Sequence, residues 1–256
     1  MRKSKVLRKL RSGEWVLSIG TSFTASPRVT ELAGLSGFDC LWIDMEHRPF
    51  DFGEVFSLLQ GARAADTDCV VRIRNVTPSE CFRPFEDGAA GIMVPGCRNA
   101  EEAERIIEYC KYPPLGKRGI DGVGADSDYG LVKADDYMRH ANTETFVMIQ
   151  IENRDALENV NEIAMVPGVD ILFIGPGDLS SDLGIFGNTK GPVFRDAVKK
   201  TAGAAEKNGI WWGIPAGDTG TAAMYISMGA RFINCGSDRG ILAGGFKDMH
   251  DRFSRL

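Results

Sequence analysis

Short apolar runs recur along the whole chain, and a segment with helical spacing follows each one. The runs lie at residues 15–20, 39–43, 69–73, 91–94, 146–151, 170–174, 210–214 and 231–235. Their length and flanking Gly, Pro and Asp predict strands. Amphipathic spacing predicts helices at 3–12, 27–35, 52–65, 78–87, 100–109, 134–142, 154–165, 194–207, 221–228 and 240–253. Two strands joined by a helix lie parallel and bring their C-terminal ends to one edge. Eight such units in a chain of 256 residues match an α/β fold of the (β/α)8 TIM-barrel type. No break in composition interrupts the alternation, so one barrel domain over residues 1–256 is expected. A doubly wound open sheet is the rival, but its glycine fingerprint after the first strand is absent.

In such barrels the chemistry sits where strands run into loops. Asp44, Glu46 and His47 follow the second strand in the run DMEH, and Arg72 ends the third. Gln150 and Glu152 close the fifth, Asp178 follows the sixth after Gly175-Pro176-Gly177, and Ser237 and Asp238 follow the eighth. Glu152 and Asp178 are hard oxygen donors on neighbouring strands, a pair suited to a divalent cation. Asp178 capping a helix and Glu152 pairing with a base is the plainer reading, and the pair alone does not separate the two. His47 is the only histidine near a strand end. A neighbouring carboxylate would orient its ring and fix its tautomer; a hydrogen bond to the loop backbone is the alternative. Arg72 offers a fixed fork of donors for an oxyanion or, equally, a structural ion pair. His140 and His250 fall in helical surface segments and are expected to be inert.

Composition narrows this further. The chain is 43% hydrophobic and 25% charged, with net charge −5. It has no basic block for a nucleic acid and no apolar run of membrane-spanning length. The basic start, MRKSKVLRKL, lacks the apolar stretch of a signal peptide, so a cytoplasmic protein is expected. The six cysteines are scattered without a CxxC and read as reduced core residues. No expected strand carries a lysine. A carbon–carbon lyase on this scaffold would therefore stabilise its enolate with a metal and not with an iminium.

The stretches GFDCLWIDMEHRPFD, VVRIRN, GIMVP, KYPPLGKRG, VMIQIE and DILFIGPGDLSSDLG together resemble the HpcH/HpaI-type class II pyruvate aldolases. The resemblance runs from about Gly13 to Phe253. It implies a phosphoenolpyruvate/pyruvate-type barrel, a homohexamer built as a trimer of dimers, and a last helix exchanged between subunits. It implies Mg2+, Mn2+ or Co2+ on Glu152 and Asp178. Pyruvate would lie with Gln150 beside it and its carboxylate on the Pro176-Gly177-Asp178 turn. Arg72 would bind the keto or enolate oxygen, and His47 would act through a water as the acid/base for the aldol hydroxyl, with Asp44 a further catalytic candidate beside it. Three stretches depart from the family pattern. Its histidine partner is an Asp in Leu-Asp-x-Gly; here FEDG places Glu86, or else Asp87, in that role. Its long loop carries an Arg before an aromatic residue, whereas this one reads GADSDYG. Arg74 and Arg98 add charge near strand ends. The implied reaction is reversible cleavage of a 4-hydroxy-2-oxo acid to pyruvate and an aldehyde. Related enolate chemistry, citrate-type condensation or oxaloacetate decarboxylation, is the alternative, followed by a non-catalytic binding barrel.

Overall fold

The computed structural model describes residues 2–256. Eight strands close into a barrel in chain order, every neighbouring pair parallel. They are β1 (Val16–Thr21), β2 (Cys40–Asp44), β3 (Asp68–Arg72), β4 (Gly91–Val94), β5 (Phe146–Ile151), β6 (Ile171–Ile174), β7 (Trp211–Pro215) and β8 (Phe232–Ser237). All eight expected strands are present, with ends moved by a residue or two.

Strand alternation explains both the core and the position of the site. Side chains two apart on a strand share a face. Cys40, Val70, Met93, Phe146, Met148, Ile171, Phe173 and Phe232 fill the barrel interior, with Trp42 and Trp211 packed against them. Continuing the same period toward the C-terminal ends puts Asp44, Arg72 and Gln150 on the inward face as well. The interior is therefore apolar at the floor and charged at the mouth. The first helix, α1 (Lys5–Arg11), closes the floor by adding Val6, Leu7 and Leu10 to the interior cluster. Buried Asp68 ties it down, accepting from Ser4 Oγ at 2.8 Å and from the Val6 N–H at 3.0 Å.

The remaining helices ring the barrel. They are α2 (Pro27–Leu35), α3 (Phe52–Ala64), α4 (Pro78–Glu86), α5 (Ala100–Cys110), α6 (Ala134–Glu144), α7 (Arg154–Glu158), α8 (Val160–Ala164), α9 (Pro176–Asp182), α10 (Pro192–Asn208), α11 (Thr219–Ser227) and α12 (Asp238–Phe253). Their inner faces and the outward faces of the strands form two further apolar clusters. The segment 154–165 reads as one helix but makes two. Asn159 stands between them at φ −93° and ψ 14°, and its Nδ2 donates to the Arg98 carbonyl at 3.0 Å. Asparagine is a poor helix former because its side chain competes for backbone partners. The short α9 starts at Pro176 with Gly175 as its cap, so Asp178 lies inside its first turn and does not cap it, and a 3-10 turn at Ala125–Ser127 lies outside the expected helices.

α12 stands apart from the ring. Of its residues only Asp238 is buried, while Ile241, Phe246, Met249 and Phe253 are each more than half exposed. Among the described residues no helix is long and apolar enough to cross a membrane.

Candidate active site

The mouth of the barrel is built on one pairing. Asp44 and Arg72 end adjacent strands in register, and both side chains turn inward. Arg72 Nε donates to Asp44 Oδ1 at 3.0 Å and Nη2 donates to Oδ2 at 2.8 Å, a bidentate fork. The Trp42 ring lies 5.1 Å from the guanidinium and supports it from below. Burial pushes the Asp44 carboxyl up, but the hydrogen bonds and charge of Arg72, with the His47 and Glu46 N–H groups, outweigh it and hold the group below its usual range. Of the two carboxylates in DMEH, Asp44 does not face the His47 ring. Instead its carboxylate takes the Arg72 fork and the backbone N–H groups of Glu46 and His47, at 3.1 and 3.3 Å. A short β2 turn follows, and leaves the His47 ring facing outward, 58% exposed, with Glu46 Oε2 3.7 Å from its Nε2.

Two strands along from Arg72, Glu152 follows β5 and is 8% exposed. Its Oε1 accepts from the Gly96 N–H at 2.6 Å and its Oε2 from Gln150 Nε2 at 2.7 Å. Gly175 must be glycine for this contact. A Cβ there would lie 2.9 Å from that of Glu152 and 3.2 Å from Gln150 Nε2. Burial pushes the Glu152 carboxyl up; the Gly96 N–H and Arg72 oppose the shift, and the charges of Glu46 and Asp178 add to it. Glu46 is likewise raised, first by burial and then by Asp44 and Asp178, against the pull of Arg72 and His47. Asp178 is exposed on the first turn of α9, where Pro176 occupies N1 and Gly175 the cap. The N–H groups of Gly177 and Asp178 precede the first helical hydrogen bond, from Leu179 to Gly175, and so face outward unbonded by the helix. A cavity of about 150 Å³ opens between Arg72, Asp44, Trp42 and the ends of β1 and β8.

Three carboxylates, Glu46, Glu152 and Asp178, thus share one field, and the only buried cation among them is already matched by Asp44. Among the described residues no three His, Cys, Asp or Glu side chains converge as a ligand set, and the two that could offer oxygen donors to an ion here are Glu152 and Asp178. The fit is good in charge and in donor type: both donors are hard oxygens, and the buried Gln150 Oε1 beside them lacks a partner.

Other candidates are placed elsewhere. α4 runs from the mouth down to the floor, so Glu86 at its end cannot meet His47 of the same chain. It lies among Arg118, Asp121, Asp126 and Arg83, with burial the main cause raising its carboxyl. Arg118 is stacked on Tyr112 at 4.6 Å and Phe85 at 5.4 Å and pairs with Asp126 at 3.2 Å. Asp87 pairs with Arg83 at the same end. The expected dyad is therefore absent within one chain. Asp238 is also structural: its carboxylate accepts from the N–H groups of Ser22, Phe23 and Thr24 at 3.0 to 3.1 Å and fixes the β1–α2 loop. Ser237 Oγ caps α12. Arg74 and Arg98 are matched by Glu80 and Glu102. His140 Nε2 lies 3.1 Å from the Arg2 carbonyl at the floor, and His250 is exposed on α12. Five cysteines are buried and Cys235 is exposed, all unpaired. No strand carries a lysine; buried Lys111 reaches the Thr145 carbonyl at 2.7 Å and Asp170 at 3.6 Å, at the N-terminal ends of β5 and β6.

Residues 22–244 match the model of the HpcH/HpaI aldolase/citrate lyase family. The chain belongs to this family. It is 36% identical over 230 residues to the 2-dehydro-3,6-dideoxy-6-sulfogluconate aldolase of Pseudomonas putida, covering 90% of this chain and 87% of that one. It is 33% identical over 231 residues to the 5-keto-4-deoxy-D-glucarate aldolase of Klebsiella pneumoniae subsp. pneumoniae, covering 90% of each. Its fold superimposes on the crystal structure of an HpcH/HpaI aldolase from Desulfitobacterium hafniense with a TM-score of 0.92, at 30% identity over 98% of this chain and 96% of that one. These HpcH/HpaI relatives are aldolases, lyases that break carbon–carbon bonds, and aldolases of this class generally depend on a divalent metal.

Proposed function

We propose that this HpcH/HpaI family member is a divalent-metal-dependent aldolase that reversibly cleaves a 4-hydroxy-2-oxo acid to pyruvate and an aldehyde. The observation that carries the reading is the Asp44-held guanidinium of Arg72 sharing the barrel mouth, and its field, with the Glu152–Gln150 pair two strands along. Glu152 and Asp178 hold the ion, Mg2+, Mn2+ or Co2+, which when bound supplies positive charge to polarise the 2-keto group. The Gly177 and Asp178 N–H groups, behind Pro176, receive the substrate carboxylate, and Gln150 lies beside it. Arg72 donates to the keto oxygen and holds its developing charge as an enolate forms. His47, exposed toward arriving substrate, takes the C4-hydroxyl proton. The O–H electrons become the C4 carbonyl bond, the C3–C4 bond breaks, and its pair delocalises onto the C2 oxygen. Protonation at C3 then releases pyruvate. A Schiff-base route has no support: among the described residues the one buried lysine, Lys111, lies at the far end of the barrel.

The same reading takes the protein to be a single cytoplasmic barrel domain that assembles into a homohexamer. The uncovered apolar face of α12 supports exchange of that helix between subunits. The reaction is tested by incubating the protein with 4-hydroxy-2-oxo acids of varied tail, with and without Mn2+. Metal-stimulated release of pyruvate is the expected result. No pyruvate from any of them would leave a binding barrel in its place.

A further inference from the structure

Arg72 carries a second acid that the scheme above leaves unused. Glu46 Oε2 lies 2.9 Å from Arg72 Nη1. That oxygen is buried, yet it accepts no aligned hydrogen bond. The Asp44 fork is different in kind, with two aligned bonds on the Nε and Nη2 edge. Arg72 is thus held firmly on one edge and covered loosely on another. The covered edge, Nη1, is the one left for a substrate oxygen. Glu46 sits on the turn after β2 with its side chain 24% exposed, so it has room to swing. Its surroundings explain why it leans on Arg72. Glu46 feels the negative charges of Asp44 and Asp178, and Glu152 in turn feels Glu46. Among the groups around it, the guanidinium of Arg72 is the strongest charge pulling the other way, and Glu46 rests on it.

We propose that Glu46 is a positioning residue that occludes Arg72 Nη1 until Glu152 and Asp178 hold a dication, and so makes uptake of the 2-oxo acid conditional on the metal. The proposal rests on the aldolase reading of this site. With two positive charges across the mouth, the field on Glu46 changes from repulsion to attraction. Glu46 then leaves Nη1, while Asp44 keeps Arg72 aimed. The metal-free protein is thereby kept from filling its site with a 2-oxo acid that it cannot turn over.

Calorimetric titration of pyruvate into metal-stripped protein tests this, comparing wild type with Glu46→Ala and the near-isosteric Glu46→Gln. The account predicts that Glu46→Ala binds pyruvate on the order of tenfold more tightly without metal, and that the Mn2+–pyruvate coupling shrinks by the same factor. Glu46→Gln lies between. Unchanged metal-free affinity in both variants, with Mn2+-loaded binding intact, overturns the proposal. A crystal structure of the Mn2+-loaded wild type gives a second test, independent of pyruvate. Glu46 Oε2 and Arg72 Nη1 are expected beyond about 3.5 Å, and a retained contact overturns the proposal. Failure of pyruvate to bind the loaded wild type contradicts the aldolase reading instead, and the loaded structure still decides the role of Glu46.

Discussion

Asp44 grips Arg72 along one edge of its guanidinium, through Nε at 3.0 Å and Nη2 at 2.8 Å, with both side chains at most 10% exposed. Breaking a buried pair from one side strands the other charge, at a cost of about 3–5 kcal/mol. Asp44→Ala should lose stability of that order in urea unfolding. Asp44→Asn should lose less, because an acceptor remains.

The same pair sets an acid dependence. The Asp44 carboxyl is held below its usual range in the folded protein. Its contribution is present above the unfolded value of about 3.9 and is lost as pH falls through the depressed folded value. Unfolding free energy followed below about pH 4 should fall more steeply in wild type than in Asp44→Asn. Parallel acid limbs would contradict the pairing.

Glu152 has the opposite sign. Its raised carboxyl binds a proton more readily in the folded state than in the unfolded one. The metal-free protein therefore loses stability as pH rises from about 4.3 through the raised folded value. Glu152→Gln removes that loss, so its advantage over metal-free wild type should grow with pH. Each kcal/mol gained moves the melting midpoint of a chain this size by about 2–4 °C. Mn2+ should reverse the order by stabilising wild type alone. The double variant Glu152→Gln, Asp178→Asn should fold yet show no calorimetric Mn2+ binding.

α12 presents Ile241, Phe246, Met249 and Phe253 on a helix with little cover. A chain ending at Gly240 should run as a smaller and less stable species by light scattering. Retention of the full-length oligomer would remove the assembly role of this helix.

The strand ends were legible in the sequence because apolar runs of barrel-strand length end in polar residues. The Asp44–Arg72 contact follows from register once β2 and β3 are neighbours. Position along a helix was harder to read. Glu86 looked like a partner for His47 from the FEDG motif, but α4 carries it to the floor beside Arg118. The clamp made by Asp238 was hidden because it joins the start of α12 to a loop more than two hundred residues earlier. The break at Asn159 depends on a tertiary bond to the Arg98 carbonyl, which helical periodicity cannot report.

The central claim is that the mouth makes a pyruvate enolate on Arg72, and this half-reaction needs no aldehyde. With Mg2+ or Mn2+ in D2O, the wild-type protein should exchange the methyl protons of pyruvate for deuterium, followed by NMR. Arg72→Ala should slow the exchange about 10²–10³-fold. His47→Ala should spare exchange more than it spares aldol cleavage. Borohydride added with pyruvate should trap no adduct. No exchange in protein shown to hold metal, or a covalent adduct after borohydride, would contradict the account.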